Sequence, residues 1–135
     1  MTRTFLDAGV LIAATRLTGA MGVKALGLFN ATDRVFVTSA FVRLEVLPKA
    51  IYFNRHAEAA FYARFFATAA HLVRYSESLL QQAYTEACTF GLAAMDAFHI
   101  AAARTGGATE FITTERPTSP LFRVSGLTVT TLDLS

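Results

Sequence analysis

Ten acidic residues are spread along the sequence, and four of them stand where ordinary surface solvation does not account for them. Asp7 closes an apolar run, Phe5-Leu6-Asp7-Ala8-Gly9-Val10-Leu11, where a strand would give way to a helix. Asp96 lies in Leu92-Ala93-Ala94-Met95-Asp96-Ala97-Phe98-His99-Ile100-Ala101, whose positions are nearly all apolar. A helix of that composition is buried on most sides, and a carboxylate within it needs a cation because an unpaired buried charge is very costly. Glu45 sits between Leu44 and Val46 of an amphipathic segment, and Glu115 follows Ile112-Thr113-Thr114. Each has an ordinary reading on its own: a helix N-cap for Asp7, an arginine partner for Asp96, a solvated face for Glu45, a polar loop for Glu115. Converging, the four would repel one another severely unless cations neutralised them. Carboxylates without His or Cys at ligand spacing favour hard ions, Mg²⁺ or Mn²⁺, over zinc. Such ions bind a phosphodiester, activate water and stabilise the leaving oxygen. The chemistry implied is phosphodiester hydrolysis.

The elements that must position these acids follow from patterning. Thr2 to Leu6 reads as a strand that ends at Asp7, and Ala8–Arg16 and Gly22–Asn30 have helical spacing. Arg34-Val35-Phe36-Val37-Thr38 is β-branched and aromatic, a second strand. Thr38 or Ser39 caps the next helix, which carries Glu45 toward Phe53 and is expected to kink or break near Pro48. His56–Ala70 predicts a long helix, His71–Tyr75 a third strand, and Ser76-Glu77 the start of another helix that Gly91 interrupts. Leu92–Arg104 is then a helix ended by Gly106-Gly107, Glu110–Thr113 a fourth strand, and Leu127–Leu132 a fifth. Strands separated by helices pair in parallel through right-handed crossovers. The expectation is an α/β fold, a three-layer sandwich around a mostly parallel sheet, forming one domain over residues 1–135. Its ligand site belongs beyond the carboxyl ends of the strands.

Composition excludes several classes. At 53% hydrophobic and 16% charged residues the chain is no disordered segment. No apolar run is long enough for a bilayer span, and no signal peptide is recognisable at the N-terminus, so the expected location is the cytoplasm. Cys88 is the single cysteine, which excludes an internal disulfide and a Cys-based zinc cluster. The net charge of +2 is compatible with nucleic acid without demanding it. All basic residues but Lys24 and Lys49 are arginine, a side chain suited to phosphate. Arg43 and Arg116, beside two of the acids, either contact RNA phosphates or offset the acids. His56, His71 and His99 show no metal-binding spacing and read as structural. The runs Ile51-Tyr52-Phe53-Asn54-Arg55-His56 and Phe61-Tyr62-Ala63-Arg64-Phe65-Phe66 are strongly aromatic. Core packing is the default reading, and a dimer face or a groove for a partner protein is the alternative if one small core does not bury so much Phe. A haloacid-dehalogenase-like phosphatase needs a second Asp where Gly9 stands. A receiver domain needs an early acidic pair and a late lysine. A nucleotide-binding fold needs a glycine-rich phosphate loop after the first strand.

Four segments in order, from Phe5 to about Val129, resemble the PIN-domain ribonucleases, and among them the VapC-type toxins of toxin–antitoxin pairs. They are Phe5-Leu6-Asp7-Ala8-Gly9-Val10-Leu11-Ile12-Ala13, Thr38-Ser39-Ala40-Phe41-Val42-Arg43-Leu44-Glu45-Val46, Gly91 to Ala101 around Asp96, and Phe111-Ile112-Thr113-Thr114-Glu115-Arg116. The resemblance implies Mg²⁺- or Mn²⁺-dependent RNA cleavage, a homodimer, and inhibition by a small antitoxin protein. It implies that Asp7, Glu45, Asp96 and Glu115 are metal ligands and that Thr113 helps hold metal-bound water. The sequence departs from the family pattern at Ala8, where Asn or Ser is usual, at Glu115 in place of Asp, and in the run Arg116-Pro117-Thr118-Ser119-Pro120. Those departures leave open a catalytically silent PIN-like module that binds RNA or protein.

Overall fold

A computed structural model describes residues 1–17 and 19–133. Five strands, β1 (Thr2–Leu6), β2 (Arg34–Ser39), β3 (His71–Val73), β4 (Glu110–Thr113) and β5 (Thr128–Thr131), form one sheet in the order β3-β2-β1-β4-β5. Every pairing is parallel, with Phe5 opposite Val37 on one side and Phe111 on the other. Among the described residues six helices connect them: α1 (Ala8–Arg16), α2 (Gly19–Leu28), α3 (Ala40–Tyr52), α4 (His56–Thr68), α5 (Glu77–Phe90) and α6 (Ala94–Thr105). A 3-10 turn, Pro120–Arg123, precedes β5.

Strand order and handedness together determine the layers. From β1 the chain steps outward to β2 and β3, then returns past β1 to β4 and β5. Right-handed crossovers place connections running in opposite directions on opposite faces. Helices α1 to α4 therefore cover one face and α5 with α6 the other, which is the three-layer sandwich expected. The reversal falls at β1 and β4, whose carboxyl ends frame the crevice where such sheets bind ligands. Asp7 and Glu115 stand at those two ends.

The core is apolar and aromatic. Phe5 stacks on Phe111 at 5.3 Å between ring centroids, and both are fully buried. Each such ring contributes roughly 1.5–3 kcal/mol over an exposed one. Ser39 and Ser76 cap α3 and α5, accepting from the amides of Val42 and Leu79. Gly91 ends α5 in the left-handed region at φ 68°, where a side chain would be strained. Among the described residues no single helix is long and apolar enough to cross a membrane.

Three expectations are corrected. Helix α3 runs unbroken through Pro48. The amide that proline lacks would have bonded to the Leu44 carbonyl, and both residues face solvent, where water can serve that oxygen. The second helix begins at Gly19 rather than Gly22, and α6 begins at Ala94 rather than Leu92. The opening of α6 is exposed at Ala93, Ala94 and Met95, so Asp96 is half-buried at a helix end instead of enclosed in a helix interior. The aromatic runs also part company. Tyr62, Phe65 and Phe66 enter the core, where Phe29 packs edge-on against Phe61 and Phe65, whereas Ile51, Tyr52 and Phe53 stay exposed.

Candidate active site

Asp7 is the N-cap of α1 in extended backbone, one Oδ1 accepting from the Ala8 amide at 2.8 Å. Its other oxygen accepts from the Thr113 hydroxyl at 2.9 Å. The capping reading is thus satisfied by one oxygen, while the other is bonded to the end of β4. Thr113 closes β4, is fully buried, and its Oγ1 also accepts the Glu115 amide at 3.1 Å. The Thr131 hydroxyl donates to the Glu115 carbonyl. This chain of bonds holds the β4 exit, and with it Glu115, against the end of β1. Gly9 completes the approach: a Cβ there would collide with the Thr114 hydroxyl.

Asp96 stands in the first turn of α6, where the positive end of the helix dipole favours a carboxylate. Its pKa is nonetheless raised above the ordinary value, first by burial and then by the charge of Asp7, with Glu115 and Glu45 adding to it and His99 opposing. The acid therefore feels all three of the other acids singled out in the sequence. The structure brings Asp7, Glu45, Asp96 and Glu115 into one electrostatic neighbourhood drawn from β1, α3, α6 and the β4 exit. Among the described residues, no three His, Cys, Asp or Glu side chains are closed onto a single ion-sized point. The donor set consists of carboxylates and a hydroxyl, the chemistry of a hard divalent cation. Such a charge would offset the repulsion that Asp7, Glu115 and Glu45 add to the burial of Asp96. The residues fit such an ion.

His99, read from the sequence as structural, stands among these acids. It lies one turn beyond Asp96 on α6 and is 1% exposed. Its Nε2 is 2.5 Å from Glu45 Oε1 and 3.9 Å from Asp7 Oδ1. A carboxylate only accepts, so Nε2 carries the proton that joins it to Glu45. Nδ1 is buried and has no hydrogen-bond partner. The available signal was the spacing of three from Asp96, which puts both side chains on one helix face; a search for His–His or Cys–His pairs does not see it. His56 and His71 are exposed, and neither takes part.

Arg43, two residues before Glu45, points to the outer side of α3, where it lines a shallow groove with Leu44, Leu47 and Ile51. Arg116 follows Glu115, is 76% exposed, and lies 3.8 Å from Asp133. Other acids have cations of their own: Arg104 donates to Glu86 at 2.6 Å and Arg34 to Glu110 at 2.9 Å. Glu86 is buried in that pair.

Residues 4–116 match the sequence model of the PIN domain. The chain belongs to the PIN-domain family. No match is found among curated proteins. Solved structures with this PIN fold include VapBC2 from Rickettsia felis bound to a DNA fragment from its promoter, with a TM-score of 0.69 and 14% identity over 98% of this chain and 100% of that one. A toxin–antitoxin complex from Klebsiella pneumoniae gives 0.69 at 18% identity, covering 96% and 98%. VapC20 of Mycobacterium tuberculosis, a toxin that cleaves the sarcin–ricin loop, gives 0.64 at 20% identity, covering 80% and 86%. At these identities the likeness is one of fold, and it spans between 86% and 100% of each of those chains.

Proposed function

We propose that this PIN domain is a metal-dependent endoribonuclease and the toxin of a type II toxin–antitoxin pair, acting in the cytoplasm. The observation that carries the reading is the gathering of Asp7, Glu45 and Glu115 around Asp96, whose pKa is raised first by burial and then by those acids, with His99 opposing. Asp7, Glu45, Asp96 and Glu115 would hold Mg²⁺ or Mn²⁺, which when bound supplies charge neutralisation at the phosphodiester and an activated water. The protein's own part is positional. Thr113 fixes Asp7 and the Glu115 amide together, and the His99 imidazole fixes Glu45 by one oxygen, leaving the other available. Asp96 is set by the first turn of α6. Arg116, exposed beside Glu115, suits a phosphate of the bound RNA. Arg43 is assigned instead to whatever covers the outer groove of α3.

Partners belong to the same proposal. The neighbours in fold include toxin–antitoxin complexes, and this chain leaves Leu44, Ile51 and Tyr52 exposed along one side of α3 at 68%, 60% and 79%. Such a stripe suits an antitoxin segment or a second copy in a homodimer. Light scattering at micromolar concentration tests the dimer, for which a monomer mass is the negative result. The nuclease is tested with purified protein on RNA in Mn²⁺, Mg²⁺ or EDTA, beside Asp96→Asn. Cleavage is expected to require the ion and to disappear in the variant. Equal cleavage by both proteins would remove the catalytic assignment.

A further inference from the structure

The acidic pocket continues into a small cleft of opposite character. Glu45 lies on its wall, and around it stand Arg16 from the last turn of α1, Lys49 from α3, and Arg55 from the α3–α4 turn. The cleft holds about 80 Å³. Lys49 is one helical turn beyond Glu45, so their Cβ atoms are roughly 5–6 Å apart on the same face.

Two of the three cations, Arg16 and Arg55, are tethered by their surroundings. Asn54 takes a left-handed φ of 55°, and the Arg55 amide bonds back to the Ala50 carbonyl at 2.9 Å. The tight turn returns Arg55 to the cleft instead of releasing it to solvent. Its guanidinium lies 5.6 Å over the Phe53 ring. Glu58, in the first turn of α4, approaches both arginines, Arg16 at 3.7 Å and Arg55 at 3.8 Å. One acid thus organises two arginines and neutralises one charge, while Lys49 adds a third cation. Three cations against Glu58 and Glu45 leave a net positive charge around one concavity, next to a pocket whose excess is negative.

We infer that Arg16, Lys49 and Arg55 form a phosphate subsite that takes the RNA phosphate next to the one held at the acids. The inference rests on the nuclease reading, and it sets the path of the strand: from the acids along α3 toward the α3–α4 turn. Juxtaposed acidic and basic pockets suit a polyanion with one phosphate on a cation held by carboxylates and the next on arginine and lysine. Glu58 competes with that second phosphate for the same guanidinium groups. Its removal should therefore strengthen binding, a gain that damage to the fold does not produce.

The test separates binding from cleavage. A fluorescent single-stranded RNA oligonucleotide is titrated onto Asp96→Asn protein over a range of salt concentrations, alone and with Arg16→Gln, Lys49→Gln, Arg55→Gln or Glu58→Gln added. Each cation variant should weaken binding several-fold and lower the salt slope by roughly 0.7 per contact. Glu58→Gln should tighten binding about two- to threefold, and Lys24→Ala, on α2 outside the cleft, should change neither. In the cleaving background the cation variants should raise KM with little change in kcat. If wild type cleaves in Mn²⁺ but the cation variants bind with unchanged affinity and slope, the subsite is wrong and the nuclease stands. If wild type does not cleave yet binding depends on the three cations and on Glu58 as stated, the subsite stands and the nuclease reading falls. Loss of binding in Glu58→Gln would overturn the subsite in either case.

Discussion

The two ends of the β1–β4 strand pair carry the same small motif, a buried threonine donating to a carboxylate on the neighbouring strand or its exit. At the amino end Thr4 donates to Glu110 at 2.7 Å, and at the carboxyl end Thr113 donates to Asp7 at 2.9 Å. What surrounds them differs. Glu110 also receives Arg34 at 2.9 Å. Burial pushes its pKa up, but the hydrogen bonds from Arg34 and Thr4 and the arginine charge outweigh that and hold it below the ordinary value. At the other end Asp7 is joined by Glu45, Asp96 and Glu115, with His99 between them, and Asp96 is pushed up. The threonine–acid bond is therefore no mark of function in itself. A carboxylate supplied with its own arginine is part of the architecture. The four acids at the other end have no arginine bonded to them among the described residues, which under the proposed function suits a charge from outside.

The largest expected difference is in activity. Asp96→Asn should lower metal-dependent RNA cleavage on the order of 100-fold or more, since it removes a proposed ligand, whereas Glu110→Gln should leave kcat per folded molecule unchanged. Initial rates on RNA in Mn²⁺ decide it. Comparable losses in both variants would erase the division between the two ends.

Stability should divide the other way. Glu110→Ala strips a part-buried arginine and a buried threonine of their acceptor, at a cost of about 2–3 kcal/mol. Asp96→Asn, measured without metal, removes one of several repelling charges and should be neutral or slightly stabilising. Urea unfolding in EDTA reads both. A loss of that size in Asp96→Asn would show that Asp96 is already compensated within the protein.

The two shifts also give opposite slopes with pH. Glu110, lowered from 4.5, binds fewer protons when folded, so its contribution is present above that value and is lost as pH falls through its lower folded pKa. Asp96, raised from 3.8, binds more protons when folded, so stability falls as pH climbs from 3.8 through its raised value. In metal-free unfolding series, Asp96→Asn should flatten the decline on the rising side and Glu110→Gln the loss on the acid side. Mn²⁺ should cancel the Asp96 decline by stabilising the ionised form.

How much of this was legible depended on whether a signal lay within one segment. The five strands and six helices were visible because each carries its own period and caps: Ser39, Ser76 and Gly91 are where the sequence places them. Asp7 and Asp96 were conspicuous because a carboxylate among apolar neighbours is anomalous locally. The hidden features are those that depend on partners distant in sequence. Arg34 and Glu110 are 76 residues apart and His99 and Glu45 are 54 apart, so neither pair has a local signature. Arg43 drew notice by adjacency to Glu45, but two steps along a helix turn a side chain to nearly the opposite face. Arg16 and Arg55 drew none, because only the turn at Asn54 and the packing of α1 beside α3 and α4 bring them to Glu45.

The smallest effects compare the two threonines directly. Thr4→Val and Thr113→Val keep the volume and delete one hydroxyl from a fully buried site, and each should cost about 1 kcal/mol in urea unfolding. Thr4→Val leaves Glu110 its arginine, so cleavage should not change. Thr113→Val leaves an oxygen of Asp7 without its donor and the Glu115 amide without its acceptor. Both groups belong to the proposed metal site, so the affinity for Mn²⁺ should fall roughly 10-fold, as when a supporting bond to a ligand is lost. Calorimetric titration with Mn²⁺ measures that fall separately from turnover. Equal stability losses with an Mn²⁺ effect at Thr113 alone would mean that one motif serves architecture at one end of the strand pair and chemistry at the other. A comparable Mn²⁺ effect from Thr4→Val would mean that β1 and β4 transmit strain along their length, and that the two ends do not act independently.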